Sequence, residues 1–155
     1  RDIAKFKEFI RRNGITNAVV VGHVPPSVVP KYLAASDILV LPNIEEGLSH
    51  YTSPLKLFEY MASQRPIVAS DLPSIREVLN ENNAILVEPA NPGALANGIQ
   101  KVLQDKEFAT KIAENAHRDA QQYSWEKRAA RILDFMGGNY NEIWIWRTAQ
   151  GIHAQ

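Results

Sequence analysis

Ser53-Pro54-Leu55-Lys56-Leu57-Phe58-Glu59-Tyr60-Met61-Ala62 is the stretch around which the rest of the chain is organised. Ser53 is a favourable N-cap, and Pro54 suits the first helical position, where a missing N–H costs nothing. A helix is expected from here, with Leu55, Leu57, Phe58, Met61 and Ala62 over most of its circumference. One narrow polar face remains, carrying Lys56, Glu59 and Ser63. Lys56 sits in the first turn, where a cation opposes the helix dipole. A bound anion would remove that conflict, because helix N–H groups, dipole and ammonium would all point at one phosphate. Glu59, further along the same face, could accept hydrogen bonds from paired hydroxyls such as those of a ribose. The alternative is a half-buried helix with an intrahelical Lys56–Glu59 pair, and the spacing alone leaves both open.

The flanks place this helix in an α/β sheet. Upstream, Asp37-Ile38-Leu39-Val40-Leu41-Pro42 is a short continuous apolar run, the pattern of a parallel strand buried on both faces. A loop from Asn43 to Thr52 follows, carrying Glu45, Glu46, Gly47, Ser49 and His50. Downstream, Pro66-Ile67-Val68-Ala69-Ser70 is a second such run. Strand, loop, helix and strand make a βαβ unit, and open α/β sheets bind ligands at the carboxyl ends of their strands. The Ser53 cap belongs to that edge.

Composition narrows the possibilities. The 155 residues are 45% hydrophobic and 22% charged, which suits one globular core. Basic and acidic residues balance at 17 each, so no broad electrostatic footprint for nucleic acid or an anionic membrane exists. The absence of cysteine removes disulfides, thiolate metal sites and cysteine nucleophiles, and fits an intracellular setting. No stretch approaches a transmembrane length, and Arg1-Asp2-Ile3-Ala4-Lys5-Phe6 does not read as a signal peptide.

Taken in order, residues Asp2 to Arg12 predict an amphipathic helix with Ile3, Phe6, Phe9 and Ile10 on one face, stopped by Asn13-Gly14. Asn17 to Val24 is expected as a strand, with His23 near its end as a weaker ligand candidate. Ser27 is expected to cap a short helix burying Val28, Val29, Tyr32 and Leu33. After the Pro66 strand, Asp71-Leu72-Pro73-Ser74 forms a second loop at the carboxyl edge and leads into a helix through Leu79. Asn83 to Pro89 predicts a further strand. Asn91-Pro92 caps a helix with Leu95, Ile99, Val102 and Leu103 inward. From Asp105 onward only helices are expected. The first has an apolar face of Phe108, Ile112, Ala113, Ala116 and Ala120. The second is capped by Ser124, faces Trp125, Ala129, Ile132, Leu133 and Met136 inward, and stops at Gly137-Gly138. In the tail, Ile143-Trp144-Ile145-Trp146 cannot all be buried by one face of one element. It needs a neighbour, which could be this domain, a partner domain or a membrane interface.

Four stretches in this order resemble one family. They are Val21 to Pro25, Ala35 to Pro42, Ser53 to Ala62, and Pro66 to Leu79. Together they are similar to the donor-binding, C-terminal half of the retaining group 1 glycosyltransferases, enzymes with two Rossmann-like domains (the GT-B fold). The resemblance covers the chain as far as Met136 and implies a partial donor-binding domain over residues 1–136, followed by a tail over 137–155. It implies an α/β fold, a Rossmann-like parallel sheet with flanking helices and C-terminal helices packed on it. The family's first two strands would precede this sequence. In the order 3-2-1-4-5-6, Ala18–Val21 would be strand three, and the Asp37, Pro66 and Ala84 runs strands four to six. The strand over Ile38–Leu41 would then have an open edge, to be covered by another molecule, by strand rearrangement or by the Ile143–Trp146 tail.

The family carries two glutamates eight positions apart, and Glu59 matches the second, which implies binding of the ribose hydroxyls. The first falls on Tyr51, which is not acidic; Glu45 or Glu46 are the nearby carboxylates that could reach the same space. Ser53, Leu55 and Lys56 match the segment whose backbone amides hold the diphosphate and sugar, whereas Pro54 has no N–H to give. The implied reaction is transfer of a sugar, a hexosyl group by expectation, from a nucleoside diphosphate sugar with retention. Helix N-termini and basic side chains stabilise the leaving group in such enzymes, so no metal or other cofactor is expected. No Asp-x-Asp motif occurs in the chain. The implied partners are the sugar donor, an acceptor sugar, lipid or protein, and an N-terminal Rossmann-like domain that would supply the acceptor contacts; nucleic acid is not among them. The implied location is cytoplasmic, with the inner face of the membrane as a peripheral site, and the chain alone is expected not to turn over. The competing expectation is a non-catalytic nucleotide-sugar-binding or protein-interaction domain of the same fold.

Overall fold

The structure is a computed structural model that describes residues 3–44 and 55–136. The chain divides into two compact units, Arg1–Ser36 and Asp37–Gln155. Glu45, Glu46, Tyr51, Ser53, the Gly137-Gly138 stop and the Ile143–Trp146 run lie outside the described residues.

In the first unit, helix α1 spans Ile3–Arg12. Gly14 takes the left-handed conformation (φ 61°) that ends the helix, and the Ile15 N–H donates to the Ile10 carbonyl at 3.0 Å. Glu8 accepts from Arg11 and Arg12 one turn on, at 2.7 and 2.6 Å, and these bonds hold its carboxyl below the ordinary carboxylate range. Helix α2 covers Val29–Ala35 with Pro30 in its first turn, but its N-cap is Val28 and Ser27 makes no capping bond. Tyr32 is exposed, contrary to the expected buried face.

The expected strand over Asn17 to Val24 is not present: these residues have no regular structure, and Val19 is 84% exposed. Valine runs fit a pleated, half-buried surface, but strand geometry needs a neighbour to complete the ladder. None of the described strands pairs with this segment.

The second unit holds a parallel sheet of β1 (Leu39–Leu41), β2 (Ile67–Ser70) and β3 (Ile85–Val87), in the order β1-β2-β3. Leu39 pairs with Ile67 and Val68 with Ile85, so β2 is central, and all four of its residues are buried. That is why its sequence is a continuous apolar run rather than an alternation. Its side chains serve opposite layers in turn: Ile67 and Ala69 join one core cluster, Val68 the other. The neighbouring strands match the expected succession of the Asp37, Pro66 and Ala84 runs, and no described strand pairs with the far edge of β1.

Helix α3 (Leu55–Ala62) connects β1 to β2 and sends Leu57 and Met61, both 0% exposed, into the first cluster. Helix α5 (Pro92–Gln104) packs on the other face, where Val102 meets Val68 and Val87. Asn91 caps it as expected, accepting from the Ala94 N–H at 3.0 Å. Gly98 is placed where a Cβ would lie 2.9 Å from Val87 Cγ1 and 3.0 Å from Val68 Cγ1, so only glycine lets α5 approach the sheet this closely. Leu103 of α5, expected inward, is exposed.

Helix α4 (Pro73–Arg76) is shorter than expected. Beyond it the chain turns at a knot of asparagines: Asn83 Oδ1 accepts from the Asn80 N–H at 2.8 Å, and Asn80 Oδ1 from the Asn82 N–H at 2.9 Å. These side chains offer the backbone turn geometry in place of helix. Helix α6 (Lys106–Ala120) serves both clusters, Ile112 in one and Ala116 in the other, and is capped by Asp105, which accepts from the Phe108 N–H at 2.9 Å. A 3₁₀ turn (Gln121–Tyr123) leads to α7 (Trp125–Phe135), capped by Ser124 as expected, through the Lys127 N–H at 3.2 Å. The inward face expected for α7 is not observed. No residue of α7 is buried, and Trp125, Ile132 and Met136 are exposed.

Candidate functional site

The topology decides where α3 stands. Because β1 and β2 are parallel, the helix joining them runs back against the strands, which puts its first turn at the carboxyl edge of the sheet. Burial of Leu57 and Met61 fixes its rotation. Lys56 and Glu59 are then left exposed on the outer side. Among the described residues no ion pair joins either side chain to a partner, so the intrahelical pair is not formed. Tyr60 is half-buried beside them, and burial first, then the Glu59 carboxylate, raises its phenol above the ordinary range. At its far end, α3 is held by His117 of α6, whose Nδ1 lies 3.0 Å from the Ala62 carbonyl oxygen.

A groove of about 620 Å³ runs between α3 and α7. Leu55, Phe58 and Glu59 form one wall. The other is made by Tyr123 and by Trp125, Arg128, Arg131, Ile132 and Phe135. Phe58 and Tyr123 meet at its base with ring centroids 5.1 Å apart. The Arg128 guanidinium lies over the Trp125 ring at 5.6 Å. Arg131 donates to the Gln122 carbonyl at 2.7 Å. The groove is thus apolar with one carboxylate and two guanidinium groups around it.

A second cluster stands after β2, in the loop read as lying at the carboxyl edge. The Asp71 N–H extends the ladder to the Val87 carbonyl at 2.7 Å. Arg76 grips the Asp71 carboxylate through both Nε and Nη2, the latter at 2.8 Å, and reaches Glu81 at 2.9 Å. The hydrogen bonds from Arg76 hold the Asp71 carboxyl below its ordinary range and the Arg76 guanidinium above its own. This fork fixes the loop.

Of the residues singled out in the sequence, Leu55 and Glu59 share the groove, and Lys56 lies beside them on the same helix. His23 is exposed in the Arg1–Ser36 unit. Ser53, Tyr51, Glu45 and Glu46 fall outside the described residues. Arg128 and Arg131 were not anticipated. Their i, i+3 spacing along a helix carrying Trp125 and Ile132 was visible, but the helix they would face was not.

The chain belongs to the glycosyl transferases of group 1, whose sequence pattern matches residues 2–105. Among its relatives are an uncharacterised glycosyltransferase of Methanocaldococcus jannaschii, 32% identical over 78% of this chain and 30% of that protein, and the D-inositol 3-phosphate glycosyltransferase of Corynebacterium urealyticum, 26% identical over 83% of this chain and 30% of that protein. The chain therefore spans about a third of the length of the curated relatives it matches. Its fold is that of GT-B structures such as the Anabaena protein HepE in complex with UDP. The TM-score is 0.76 at 22% identity, over 87% of this chain and 36% of that one. Sucrose-phosphate synthase from Thermosynechococcus elongatus gives a TM-score of 0.74 at 24% identity, over 86% of this chain and 33% of that one. Among the described residues no helix is long and apolar enough to cross a membrane.

Proposed function

We propose that the chain is the donor-binding, C-terminal half of a retaining glycosyltransferase, with α3 holding a nucleoside diphosphate sugar. The observation that carries this reading is the pair Lys56 and Glu59, exposed and unpaired among the described residues on a helix whose opposite side is locked into the core. The Glu59 carboxylate accepts from the two ribose hydroxyls. The Lys56 ammonium and the amides around Ser53 and Leu55 neutralise the diphosphate as it leaves, without a metal ion. Tyr51 stands where the family has its first glutamate, and Glu45 or Glu46 would supply a carboxylate to the same space. His23 is a subsidiary candidate. The relatives' glycosyltransferase names and the UDP and UDP-glucose complexes of HepE support a nucleotide donor and hexosyl transfer.

Residues 1–136 form the donor-binding part in this reading, and 137–155 a tail. An N-terminal Rossmann-like domain supplies the acceptor contacts, the acceptor being a sugar, lipid or protein, and the reaction takes place on the cytoplasmic side. Catalysis in such a cleft depends on closure that excludes water and orients the acceptor, so the 155-residue chain by itself does not transfer sugar.

Ligand-detected NMR with a panel of nucleoside diphosphates tests the reading. One of them should bind, and Lys56→Ala should weaken that binding by about 1.5–3 kcal/mol, the scale of a hydrogen bond to a charged group. Glu59→Gln should reduce nucleotide affinity while leaving the thermal midpoint close to that of the parent. Unchanged affinity in both variants would overturn the assignment. Sugar transfer by the purified chain to an acceptor would refute the dependence on a second half.

A further inference from the structure

Glu59 does not stand on an open surface: it forms part of one wall of the groove between α3 and α7. The donor as assigned above accounts for that wall and leaves the opposite one unexplained. The α7 wall carries the two most exposed aromatic rings among the described residues, Trp125 at 70% and Phe135 at 93%. We propose that this groove is the nucleobase subsite of the donor, with the base stacked on Trp125. The inference rests on the assignment of Glu59 to the ribose.

The first support is the connectivity of a nucleotide, whose base and diphosphate leave the ribose at opposite ends. Lys56 precedes Glu59 by three residues, about 4.5 Å along the helix axis. Phosphate and ribose therefore follow one another along α3 from its first turn, and the base comes next, past the Glu59 carboxylate. Glu59 lines the groove and Lys56 does not, so the charged end of the nucleotide stays outside while its flat end enters. The second support is the platform. The Ser124 cap holds the first turn of α7, where Trp125 is the first helical residue. The Arg128 guanidinium lies over the indole at 5.6 Å, and an exposure of 70% leaves the other face of the ring open. Any base can stack there, because every base has a π-face. The third support is charge. Among the described residues no carboxylate pairs with Arg128 or Arg131, so the wall facing Glu59 is electropositive and favours an anionic ligand. The volume of about 620 Å³ is that of a small-molecule site. The exposed stripe of α7, which no layer of the described fold covers, then has an occupant.

Binding by the purified 155-residue chain tests the assignment, with ADP, CDP, GDP and UDP as probes and ribose 5-phosphate as the probe that lacks a base. The nucleotide that binds best should lose about 5- to 100-fold in affinity in Trp125→Ala, the range of base–aromatic stacking. Trp125→Phe keeps a ring and should recover most of that loss. Ribose 5-phosphate should bind both variants as it binds the parent, whereas damage to the fold would weaken it as well. Lys56→Ala separates the inference from the reading beneath it. If Lys56→Ala weakens the nucleotide and Trp125→Ala does not, the base lies elsewhere, and the proposal is overturned while the donor site stands. Equal losses for nucleotide and ribose 5-phosphate in Trp125→Ala would make Trp125 a structural residue and also overturn it. If none of these nucleotides binds, or if Lys56→Ala and Glu59→Gln leave the affinity unchanged, the donor site itself is refuted and the base subsite falls with it.

Discussion

Helices α6 and α7 are neighbours in the chain, of similar amphipathic character in sequence, and they behave differently. Helix α6 buries Ile112, Ala113 and Ala116 and is tied to distant parts of the fold. His117 meets the Ala62 carbonyl, Asn115 donates to the Asn82 carbonyl at 2.7 Å, and Asp119 accepts from Asn83 at 2.9 Å. Helix α7 buries nothing, and among the described residues the side-chain bonds of Ser124, Lys127 and Arg131 stay within ten residues. An apolar stripe declares which side of a helix wants cover. Whether cover exists is decided by the rest of the molecule.

The sharpest way to break this contrast is to delete the same side chain from each helix. Ile112→Ala should cost about 2–4 kcal/mol, because it removes atoms from a closed core and leaves a cavity. Ile132→Ala should cost less than about 1 kcal/mol, since the side chain is 51% exposed. Equal losses in denaturant titrations would show that α7 is as deeply packed as α6. A smaller effect comes from the polar ties. His117→Ala should cost about 0.5–1.5 kcal/mol through the bond to Ala62, whereas Arg131→Ala should stay within about 0.5 kcal/mol. Thermal unfolding of both variants reads this difference.

The sequence made the strongly packed half legible. The Pro66–Ser70 run announced a central strand, Asn91 and Ser124 announced their caps, and the spacing within Ser53–Ala62 placed Lys56 and Glu59 on one exposed face. These are local properties of the chain, and local chemistry decides them. What failed depends on absent or distant neighbours. Ala18–Val21 has strand composition but pairs with no described strand, and the α7 stripe has no described layer beneath it. Helix α4 was overestimated, since it ends at Arg76 and the chain then turns through Asn80 and Asn83. Within the candidate site, Glu59 was readable from the sequence. Arg128 and Arg131 were not, because they reach the same groove from about 70 residues further along.

Two weaker effects sharpen the picture at the carboxyl edge. Asp71 has a folded-state pKa held down by Arg76, so the pair stabilises the protein above the unfolded aspartate value of about 3.9. That contribution is lost as the pH falls through the lower folded value. Arg76→Gln should therefore flatten the acid limb of the stability–pH curve below about pH 4 and leave the alkaline limb as it was. The effect should be small and should shrink with added salt, because both side chains are partly solvated. The smallest effect concerns Tyr60. Removing the neighbouring charge with Glu59→Gln should move its phenol titration downward, towards the ordinary range, in an ultraviolet pH titration. An unchanged titration would mean that burial alone raises it.

The bond between His117 and the Ala62 carbonyl also bears on how the protein is made. The two residues are 55 positions apart, so the ribosome finishes α3 well before it supplies the group that fastens the helix's end. At 5–20 residues per second the interval is roughly 3–11 s. During that time the helix carrying Lys56 and Glu59 has its strand neighbours β2 and β3 coming into place, but not α6. The far end of α3 is thus fastened only when the second half of this unit has been translated.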